Sequence, residues 1–372
     1  MKKTKILYGI CGIGNGHIYR QLPIIDHFAK GCEIMIFAHG ASYNFYTEYF
    51  KDNASVRIVW VAVPFYVGAK DGLNFKVTAE TFLDREQDVF KTNCLALDRA
   101  QKELDKPDLV ITDYEPISAQ YAYARNVPLI TIDQQSKYLC GDFPRELGGF
   151  TFEDEIARLR MFFPRVDARI ACSFFNVPIK DNPDNVSVYP PILKDSIIQL
   201  HRDPISNSFL VYISAAREYG QTAENIVEIL ALQKNSKFHL FMPESEGFVS
   251  EYPPNISIYK HGDPIFLDIV ERCSGIISTA GHSLLSEAMY LGIPVYAIPV
   301  SPYEQHMNAK VISENSFGVA YPKIDSKQLE YFIENIPKFE KMIKSGKNIL
   351  LKGVGQKEII SFIEKNYFKD LK

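Results

Sequence analysis

"IISTAGHSLLSEAMYLGIPVYAIP" (residues 276–299) has the pattern of a buried strand, a glycine turn, a helix and a second buried strand. The helix is predicted to begin at Gly281, His282 and Ser283, where free backbone N–H groups and the helix dipole favour an anion such as phosphate. Glu287 lies one turn further along the same face, and helical side chains lean towards the amino terminus. Its carboxylate could therefore accept hydrogen bonds from two ribose hydroxyls beside that phosphate. The alternative is an amphipathic helix with an exposed glutamate.

Similar strand and helix units recur along the whole chain. In the second half we predict strands at 208–214, 237–243, 255–260, 275–279 and 294–299, and helices at 221–233, 264–272, 283–291 and 303–314. In the first half we predict strands at 5–10, 33–38, 56–63, 108–113, 128–133 and 168–174, and helices at 18–30 and 80–105. Continuous apolar strands separated by helices indicate parallel sheets buried on both faces. The fold class is thus α/β, with two doubly wound domains that face a cleft beyond the carboxyl ends of their strands.

The chain of 372 residues is too long for one ordinary core, which also favours two domains. We predict a first domain at 1–190, a second at 200–350 and a carboxyl-terminal segment at 351–372. The polar, proline-rich segment 180–195 has the composition of a linker between the domains. The last segment includes an amphipathic helix, which we expect to pack back across the domains.

Composition excludes several classes of function. The net charge of −4 argues against a general nucleic-acid-binding protein, which needs a basic surface. No apolar run reaches the length of a membrane span, and no signal peptide is recognisable. The six cysteines are scattered without a CxxC pair, a spacing typical of reduced thiols. We therefore expect a cytoplasmic protein, with association with a membrane as a second option.

The glycine loop in "YGICGIGNGHIYRQLP" (8–23) invites comparison with the dinucleotide-binding fingerprint. Gly12 and Gly14 fit its first and third positions, but the sixth position is His17 instead of glycine. The second strand also ends in "FAHG" rather than in an acidic residue that could bind a ribose. These two departures argue against a nicotinamide cofactor, and a dehydrogenase remains the last alternative.

The same loop fits a different role. Gly14 and its neighbouring glycines let a ligand approach the backbone closely, and His17 follows at the start of the helix, facing the predicted cleft. Histidine suits a general base because its unperturbed pKa lies near neutral pH. The helix amino terminus disfavours its protonated form. The alternative is a solvent-exposed histidine in a tight turn.

Two further strand ends in the first half carry polar residues. In "ITDYEPIS" (111–118), Asp113 could orient the ring of His17, and Glu115 could bind the hydroxyls of an acceptor. The alternative for Asp113 is a cap of the following helix. Gln134 follows the next strand and is a weaker candidate for the acceptor side.

The segment "SPYEQHMNA" (301–309) places Glu304, Gln305 and Asn308 on one side of a helix start. These side chains could hydrogen-bond sugar hydroxyls, or they could simply be solvated. No DxD pair or cluster with metal-ligand spacing is present, so we predict a site without an essential metal.

The paired halves, the glycine loop ending in His17, and "TAGHSLLSEAMYLGIPVYAIPVSPYEQHMNA" (279–309) resemble inverting glycosyltransferases of the two-Rossmann GT-B type. Within this type, the chain resembles the MurG-like and UDP-glycosyltransferase families. The resemblance implies transfer of a hexosyl or N-acetylhexosaminyl group, with His17 as the base. On the donor side it implies Gly14, Ser214, Arg217, Phe266, Gly281, His282, Ser283, Glu287, Gln305 and Asn308.

The resemblance also sets the expected partners. The donor is expected to be a nucleotide sugar, most simply UDP-linked, which is a substrate and leaves no cofactor to assign. The acceptor is a small molecule, a glycan or a lipid-linked molecule, and 159–165 or 63–70 could touch a membrane through their aromatic and basic residues. Core-facing aromatics are the alternative reading of those two segments. The alternative functions are a UDP-sugar 2-epimerase and a non-catalytic nucleotide-sugar-binding protein.

Overall fold

The structure is a computed structural model that describes residues 3–63, 66–69, 72–82, 88–214, 221–243, 252–300, 303–346 and 348–368. The first half contains, in chain order, β1 (Lys5–Ile10), α1 (Asn15–Ala29), β2 (Glu33–Ala38), α2 (Gly40–Tyr49), β3 (Val56–Trp60), β4 (Gly68–Ala69), β5 (Gly72–Leu73), α3 (Phe75–Phe82), α4 (Val89–Glu103), β6 (Leu109–Asp113), α5 (Pro116–Arg125), β7 (Leu129–Asp133), a 3-10 helix (Ser136–Leu139), β8 (Glu146–Leu147), β9 (Phe150–Thr151), α6 (Glu153–Phe162), β10 (Ala168–Cys172) and β11 (Val186–Tyr189).

The second half continues with α7 (Asp195–Ile198), β12 (Ser208–Tyr212), α8 (Ala223–Ala231), β13 (Lys237–Met242), β14 (Ile256–Lys260), α9 (Phe266–Arg272), β15 (Gly275–Ser278), α10 (His282–Leu291), β16 (Val295–Ala297), α11 (Tyr303–Glu314), β17 (Gly318–Ala320), α12 (Ser326–Glu334), α13 (Ile336–Ser345) and α14 (Gly355–Tyr367).

Within the described residues, two large parallel sheets form the two halves. The first has seven strands in the order β11-β10-β7-β6-β1-β2-β3, and the second has six in the order β14-β13-β12-β15-β16-β17. Alternate residues of one strand pack into different hydrophobic clusters: Ile6 and Tyr8 into one, and Leu7 into the other. In β12 of the second sheet, Leu210 likewise packs into one cluster and Val211 into another. Each sheet is thus covered on both faces, which is why its strands are continuously apolar. The prediction of two doubly wound α/β halves is confirmed.

The predicted linker is wrong in part. Residues 186–189 form β11, the edge strand that pairs in parallel with β10 in the first sheet. The polar and proline-rich composition around this strand concealed it, because an edge strand tolerates residues that a central strand does not. The predicted helix 80–105 is also wrong in its extent, since α4 begins at Val89 after an Asp88 side chain that caps it. Residues 83–87 of that prediction lie outside the described part of the chain.

The carboxyl-terminal helix α14 packs on the first half rather than on the second half that precedes it. Ile359 and Ile363, one turn apart, are fully buried in the first-half cluster that includes residues of α1. At its start, Gln356 hydrogen-bonds both the backbone N–H and the backbone oxygen of Leu193. A Cβ atom at Gly355 would lie 2.1 Å from the carbonyl oxygen of Pro190, so this approach requires glycine.

A second region joins the halves through aromatic side chains. The Tyr303 hydroxyl donates to the backbone oxygen of Pro144, and the Tyr138 and Tyr303 rings meet edge to face at 5.6 Å.

Among the residues described, no helix has the length and hydropathy needed to cross a bilayer. In 159–165, Leu159 and Phe163 are buried, which favours the reading of core-facing aromatics for that segment. Part of 63–70 lies outside the described residues.

Candidate active site

A cavity of about 610 Å³ lies between the halves, beyond the carboxyl ends of both sheets. This volume suits a substrate of the size of a nucleotide sugar. The predicted site residues that line the cavity are Gly14, His17, Gln134, Ser214, Phe266, Gly281, His282, Ser283, Glu287 and Gln305. The cavity wall does not include Asp113, Glu115 or Asn308, and Arg217 lies outside the described residues.

His17 and Asp113 meet at the first-half wall of the cavity. The Nδ1 atom of His17 lies 2.9 Å from Oδ1 of Asp113, which is fully buried at the end of β6. Nε2 of His17 has no hydrogen-bond partner among the described residues, and the side chain is 14% exposed to the cavity. The pair therefore places an orienting carboxylate behind the ring and a ring nitrogen in front of it.

Arg20 is a third member of this group that sequence reasoning missed. Its Nη2 atom lies 2.8 Å from each carboxylate oxygen of Asp113 and 2.9 Å from Nδ1 of His17. One Nη2 hydrogen can serve both carboxylate oxygens, because the two oxygens lie in nearly the same direction from Nη2, and the second hydrogen points elsewhere. A base role for Nε2 requires the tautomer in which Nδ1 of His17 donates its proton to Asp113 and the lone pair lies on Nε2. The available signal was the spacing of three residues between His17 and Arg20 on one helix face.

The surroundings of Asp113 stabilise its ionised form. Burial alone would raise the pKa of this carboxyl, but the charges of Arg20 and His17 and the hydrogen bond from Gln21 outweigh burial and lower it. Gln21 donates to Oδ2 of Asp113 over 2.8 Å and accepts from the Tyr8 hydroxyl. Asp113 is therefore ionised and fixed in position by side chains of β1 and α1.

The glycine loop is held by a histidine at the end of β2. The backbone N–H of Gly12 donates to Nε2 of His39 over 2.9 Å, and a Cβ atom at Gly12 would lie 1.7 Å from the His39 carbonyl oxygen. Gly14 has a φ of 70°, in the left-handed region that favours glycine. A Cβ at Gly16 would lie 2.9 Å from Oγ of Ser283, so this loop lies directly against the start of α10.

Because His39 accepts the hydrogen bond from Gly12, the stability of the protein is expected to fall in acid. Burial, with a smaller effect of the nearby His17, lowers the pKa of His39 from 6.5 to about 4. Between these pH values the unfolded chain binds a proton at this side chain and the folded protein does not. Acidification through that window is therefore expected to cost on the order of 3 kcal/mol of unfolding free energy.

His39→Gln tests this expectation because glutamine can accept from Gly12 but does not titrate. Urea unfolding of both proteins at about pH 7.5 and about pH 4.5 should show a smaller loss of stability on acidification in the variant. Equal losses in the two proteins would contradict the assignment.

The start of α10 forms the opposite wall of the cavity. Gly281 is its N-cap and has no side-chain capping bond, so first-turn N–H groups lack a capping side chain. Ser283 and Gly281 both line the cavity. His282 is 6% exposed, and its Nε2 is buried without a partner among the described residues. This wall can receive an anion through backbone N–H groups and the helix dipole.

Glu287 lines the cavity one turn beyond Ser283, with Lys194 and Tyr19 of the opposite side close by. Burial raises the pKa of Glu287 above its usual value, and the charge of Lys194 opposes this. The ammonium of Lys194 lies 4.3 Å from the centre of the Tyr19 ring. The carboxylate thus lies on the same face of α10 as Ser283, and its ribose-binding role stays a prediction.

An aromatic wall closes the far end of the cavity. Phe266 meets the ring of Tyr212 edge to face at 5.9 Å, and Tyr212 stacks on His261 at 4.5 Å with an interplanar angle of 7°. Sequence reasoning predicted Phe266 but missed Tyr212 and His261, which lie at the ends of two different strands. Nearby, the Ser214 hydroxyl lies 3.2 Å from that of Thr279. This wall offers a flat surface to a planar ring.

The prediction that Asn308 contacts the donor is corrected by the structure. It is fully buried, and its amide nitrogen donates to the Ala280 carbonyl oxygen over 3.0 Å and to Glu304 over 3.3 Å. It ties α11 to the turn before α10 and lies behind the wall.

Gln305 does line the cavity, and its side-chain oxygen accepts from the Val300 backbone N–H. Among the described residues no cluster of three or more His, Cys, Asp or Glu could hold a metal ion, and the metal-free site stays a prediction.

The prediction that Glu115 binds the acceptor is corrected by the structure. It is fully buried, and its two carboxylate oxygens accept from the backbone N–H groups of Ile117 and Ser118 at 2.6 and 2.8 Å. The side chain therefore caps α5, the role that sequence reasoning considered for Asp113. Burial raises the pKa of Glu115 to about 7, and the hydrogen bonds from α5 oppose this.

Replacing Glu115 with alanine is expected to lower stability by about 1–2 kcal/mol through loss of the cap, with little change in substrate binding. Chemical unfolding and ligand titration of the same variant check the two parts. A large loss of acceptor affinity in a stably folded variant would restore the acceptor role.

Comparisons with known proteins identify the family and the fold. The model of the family described as Glycosyl transferase family 1 matches residues 4–337. A protein of Methanosarcina mazei described as an uncharacterized glycosyltransferase is 23% identical over 333 residues, covering 84% of each chain.

Two solved structures extend the comparison to three dimensions. Acinetobacter baumannii MurG has a TM-score of 0.59 at 16% identity, covering 97% of this chain and 99% of that one. Arabidopsis thaliana UGT89C1, solved with UDP-L-rhamnose, has a TM-score of 0.62 at 14% identity, covering 100% and 98%. The resemblance to GT-B glycosyltransferases of the MurG-like and UDP-glycosyltransferase types is confirmed.

Proposed function

The chain belongs to glycosyl transferase family 1, and we propose that it moves a hexosyl or N-acetylhexosaminyl group from a nucleotide sugar to an acceptor hydroxyl with inversion of configuration. The observation that carries the proposal is the His17–Asp113 pair at 2.9 Å, facing the open start of α10 across one cavity. A base and an anion-binding helix start on opposite walls are the two groups that direct displacement requires.

In the proposed reaction, Nε2 of His17 accepts the proton of the acceptor hydroxyl while the hydroxyl oxygen bonds to the anomeric carbon. The bond from that carbon to the diphosphate oxygen breaks, and its electron pair leaves on the diphosphate. Asp113 stabilises the imidazolium formed on His17. The N–H groups and dipole of α10 stabilise the charge that grows on the leaving group. A single displacement from the opposite face inverts the anomeric centre.

The cavity supports a nucleoside diphosphate at the second-half wall. The aromatic wall of Tyr212, His261 and Phe266 would hold the base, and Glu287 would accept from both ribose hydroxyls. This carboxylate favours a ribonucleotide over a thymidine nucleotide, because the latter lacks the 2′-hydroxyl. UDP is therefore the expected carrier, as in the UDP-L-rhamnose complex of UGT89C1.

A ligand screen followed by a transfer assay tests the proposal. Thermal shifts with UDP-, dTDP- and GDP-sugars should identify a bound donor, and UDP release with acceptors should reveal transfer. The anomeric configuration of the product, measured by NMR, should be inverted. Absence of any nucleotide-sugar binding, or retention of configuration, would overturn the proposal. Conversion of the UDP-sugar without an acceptor would favour the epimerase, and binding without turnover would favour the non-catalytic protein.

Glu287→Gln is expected to raise the KM for the UDP-sugar about 10–100-fold with a smaller change in kcat, because a charged acceptor of two hydrogen bonds is lost. The preference for UDP over dTDP should shrink in the variant. Steady-state kinetics with both donors check this. Glu314→Gln, at the exposed end of α11 where the glutamate is 59% exposed, is the matched control and should leave the KM unchanged. An unchanged preference in Glu287→Gln would refute the ribose role.

A further inference from the structure

A buried lysine beside the cavity has no part in the reaction described above. Lys137, in the 3-10 helix after β7, is fully buried, and its ammonium donates to the side-chain oxygen of Gln134 over 2.7 Å. The centres of the Tyr138 and Phe175 rings lie 5.2 and 5.5 Å from Nζ. Within the described chain, Lys137 forms no ion pair with a carboxylate.

Such a cation opposes folding. Burial lowers the pKa of Lys137 to about 8, while the charge of Glu304 across the cavity opposes this. Its single ammonium hydrogen bond among the described residues leaves further N–H donors without an acceptor there, and an apolar side chain of the same length would fit between the rings at lower cost. A charge kept at a cost beside a ligand cavity indicates a functional group.

The contact with Lys137 identifies which atom of the Gln134 amide it binds. An ammonium can only donate, so the atom it contacts must be the amide oxygen, and this assignment does not depend on how the amide is drawn. The amide nitrogen is then directed away from Lys137, and it has no hydrogen-bond partner among the described residues. Gln134 lines the cavity together with His282, Glu304 and Gln305 of the second half.

We propose that Lys137 is a positioning residue that holds Gln134 with its amide N–H towards the donor sugar, so that the first half contacts a sugar hydroxyl that donates a hydrogen bond to Glu304. The inference rests on the proposed function and adds a contact from the half that does not bind the nucleotide. A hydroxyl satisfies both groups, because its oxygen accepts from Gln134 and its hydrogen is donated to Glu304. The favoured substrates are hydroxylated donor sugars rather than sugars deoxygenated at that position.

The test compares the affinity for a nucleotide sugar with that for the free diphosphate. Isothermal titration of UDP-glucose and UDP gives a ratio of dissociation constants that reports the sugar contacts alone. In Lys137→Met and Gln134→Leu the affinity for UDP-glucose should fall about tenfold relative to that for UDP. The double variant should show no further loss, because the lysine acts through the glutamine. Lys137→Met should fold with an equal or higher thermal midpoint.

Gln134→Glu separates N–H donation from shape. The carboxylate keeps the size of the side chain and pairs with Lys137 but has no N–H to donate, so it should show the same loss as Gln134→Leu. Gln356→Leu removes a buried glutamine at the start of α14, away from the cavity, and should leave the ratio unchanged.

A ratio within about twofold of wild type in Lys137→Met or Gln134→Glu would overturn the inference while leaving the proposed function intact. If the wild-type protein binds UDP-glucose and UDP equally and no variant changes either constant, the inference also fails. Failure of the wild-type protein to bind any nucleotide sugar would instead overturn the proposed function.

Discussion

Replacing His17 with alanine is expected to lower the transfer rate by about 10²–10⁴-fold, the usual contribution of a general base. Nε2 of His17 is the ring nitrogen that faces the cavity, and Nδ1 is held by Asp113 at 2.9 Å. Without the imidazole the acceptor must lose its proton to water. Measured kcat with saturating donor and acceptor checks the loss, and titration of UDP should show nearly unchanged affinity, because the proposed diphosphate site lies at the opposite wall.

The matched control is His27→Ala. His27 lies on the same helix, is 42% exposed, and pairs with Glu364 of α14 outside the cavity. Its loss should leave the transfer rate unchanged. A His17→Ala protein that folds and retains a rate near that of wild type would show that another group accepts the proton.

Asp113→Asn is expected to lower both the transfer rate and the stability. The amide cannot supply the negative charge that stabilises the imidazolium, so a rate loss of about 10²–10⁴-fold is expected. The guanidinium of Arg20, which is 6% exposed, would also lose its carboxylate partner. An uncompensated buried charge of this kind costs about 3–5 kcal/mol. Urea unfolding and kcat measure the two effects separately.

The contribution of Asp113 to the free energy of unfolding is expected to be lost in acid. Because the pKa of Asp113 is lowered in the folded protein, its contribution to stability is complete above the unfolded value of 3.8 and is lost as the pH falls below it. This acid-dependent part should disappear in Asp113→Asn. An unchanged acid limb would contradict the assignment of the buried charge.

The double variant Asp113→Asn with Arg20→Met separates structure from catalysis. Removing both charges should restore much of the lost stability, since no unpaired ion remains. The rate should stay low, because the orienting carboxylate is still absent. A double variant that regained the rate would show that Asp113 acts only by supporting the fold.

Much of the fold followed from local pattern. Continuous apolar strands and amphipathic helices predicted two parallel sheets, because burial on both faces removes the alternation of polar residues. The helix start at Gly281–Ser283 and the side of Glu287 were predictable because helical periodicity places residues four apart on one face. Strand β11 was not predicted as a strand, since an edge position accepts a polar and proline-rich sequence.

Contacts between segments that are distant in sequence could not be predicted from local pattern. The pairing of Arg20 with Asp113 joins residues 93 positions apart, and the clamp of His39 on Gly12 spans 27. Both depend on which strands are neighbours in the first sheet. The direction of the Gln134 amide depends on a lysine whose burial is decided by the rings packed around it.

Asp113 and Glu115 show most directly where local pattern ends. The sequence by itself determined that Asp113 and Glu115 lie at the end of a strand beside the cleft, and it left Asp113 with two readings, a partner of His17 or a helix cap. It did not determine that Glu115 is the cap, because residues two apart share a face only while the strand continues. Tyr114 has a φ of 60°, so the chain turns between them. The tertiary structure thereby sends Asp113 to His17 and Arg20, and Glu115 to the backbone of α5.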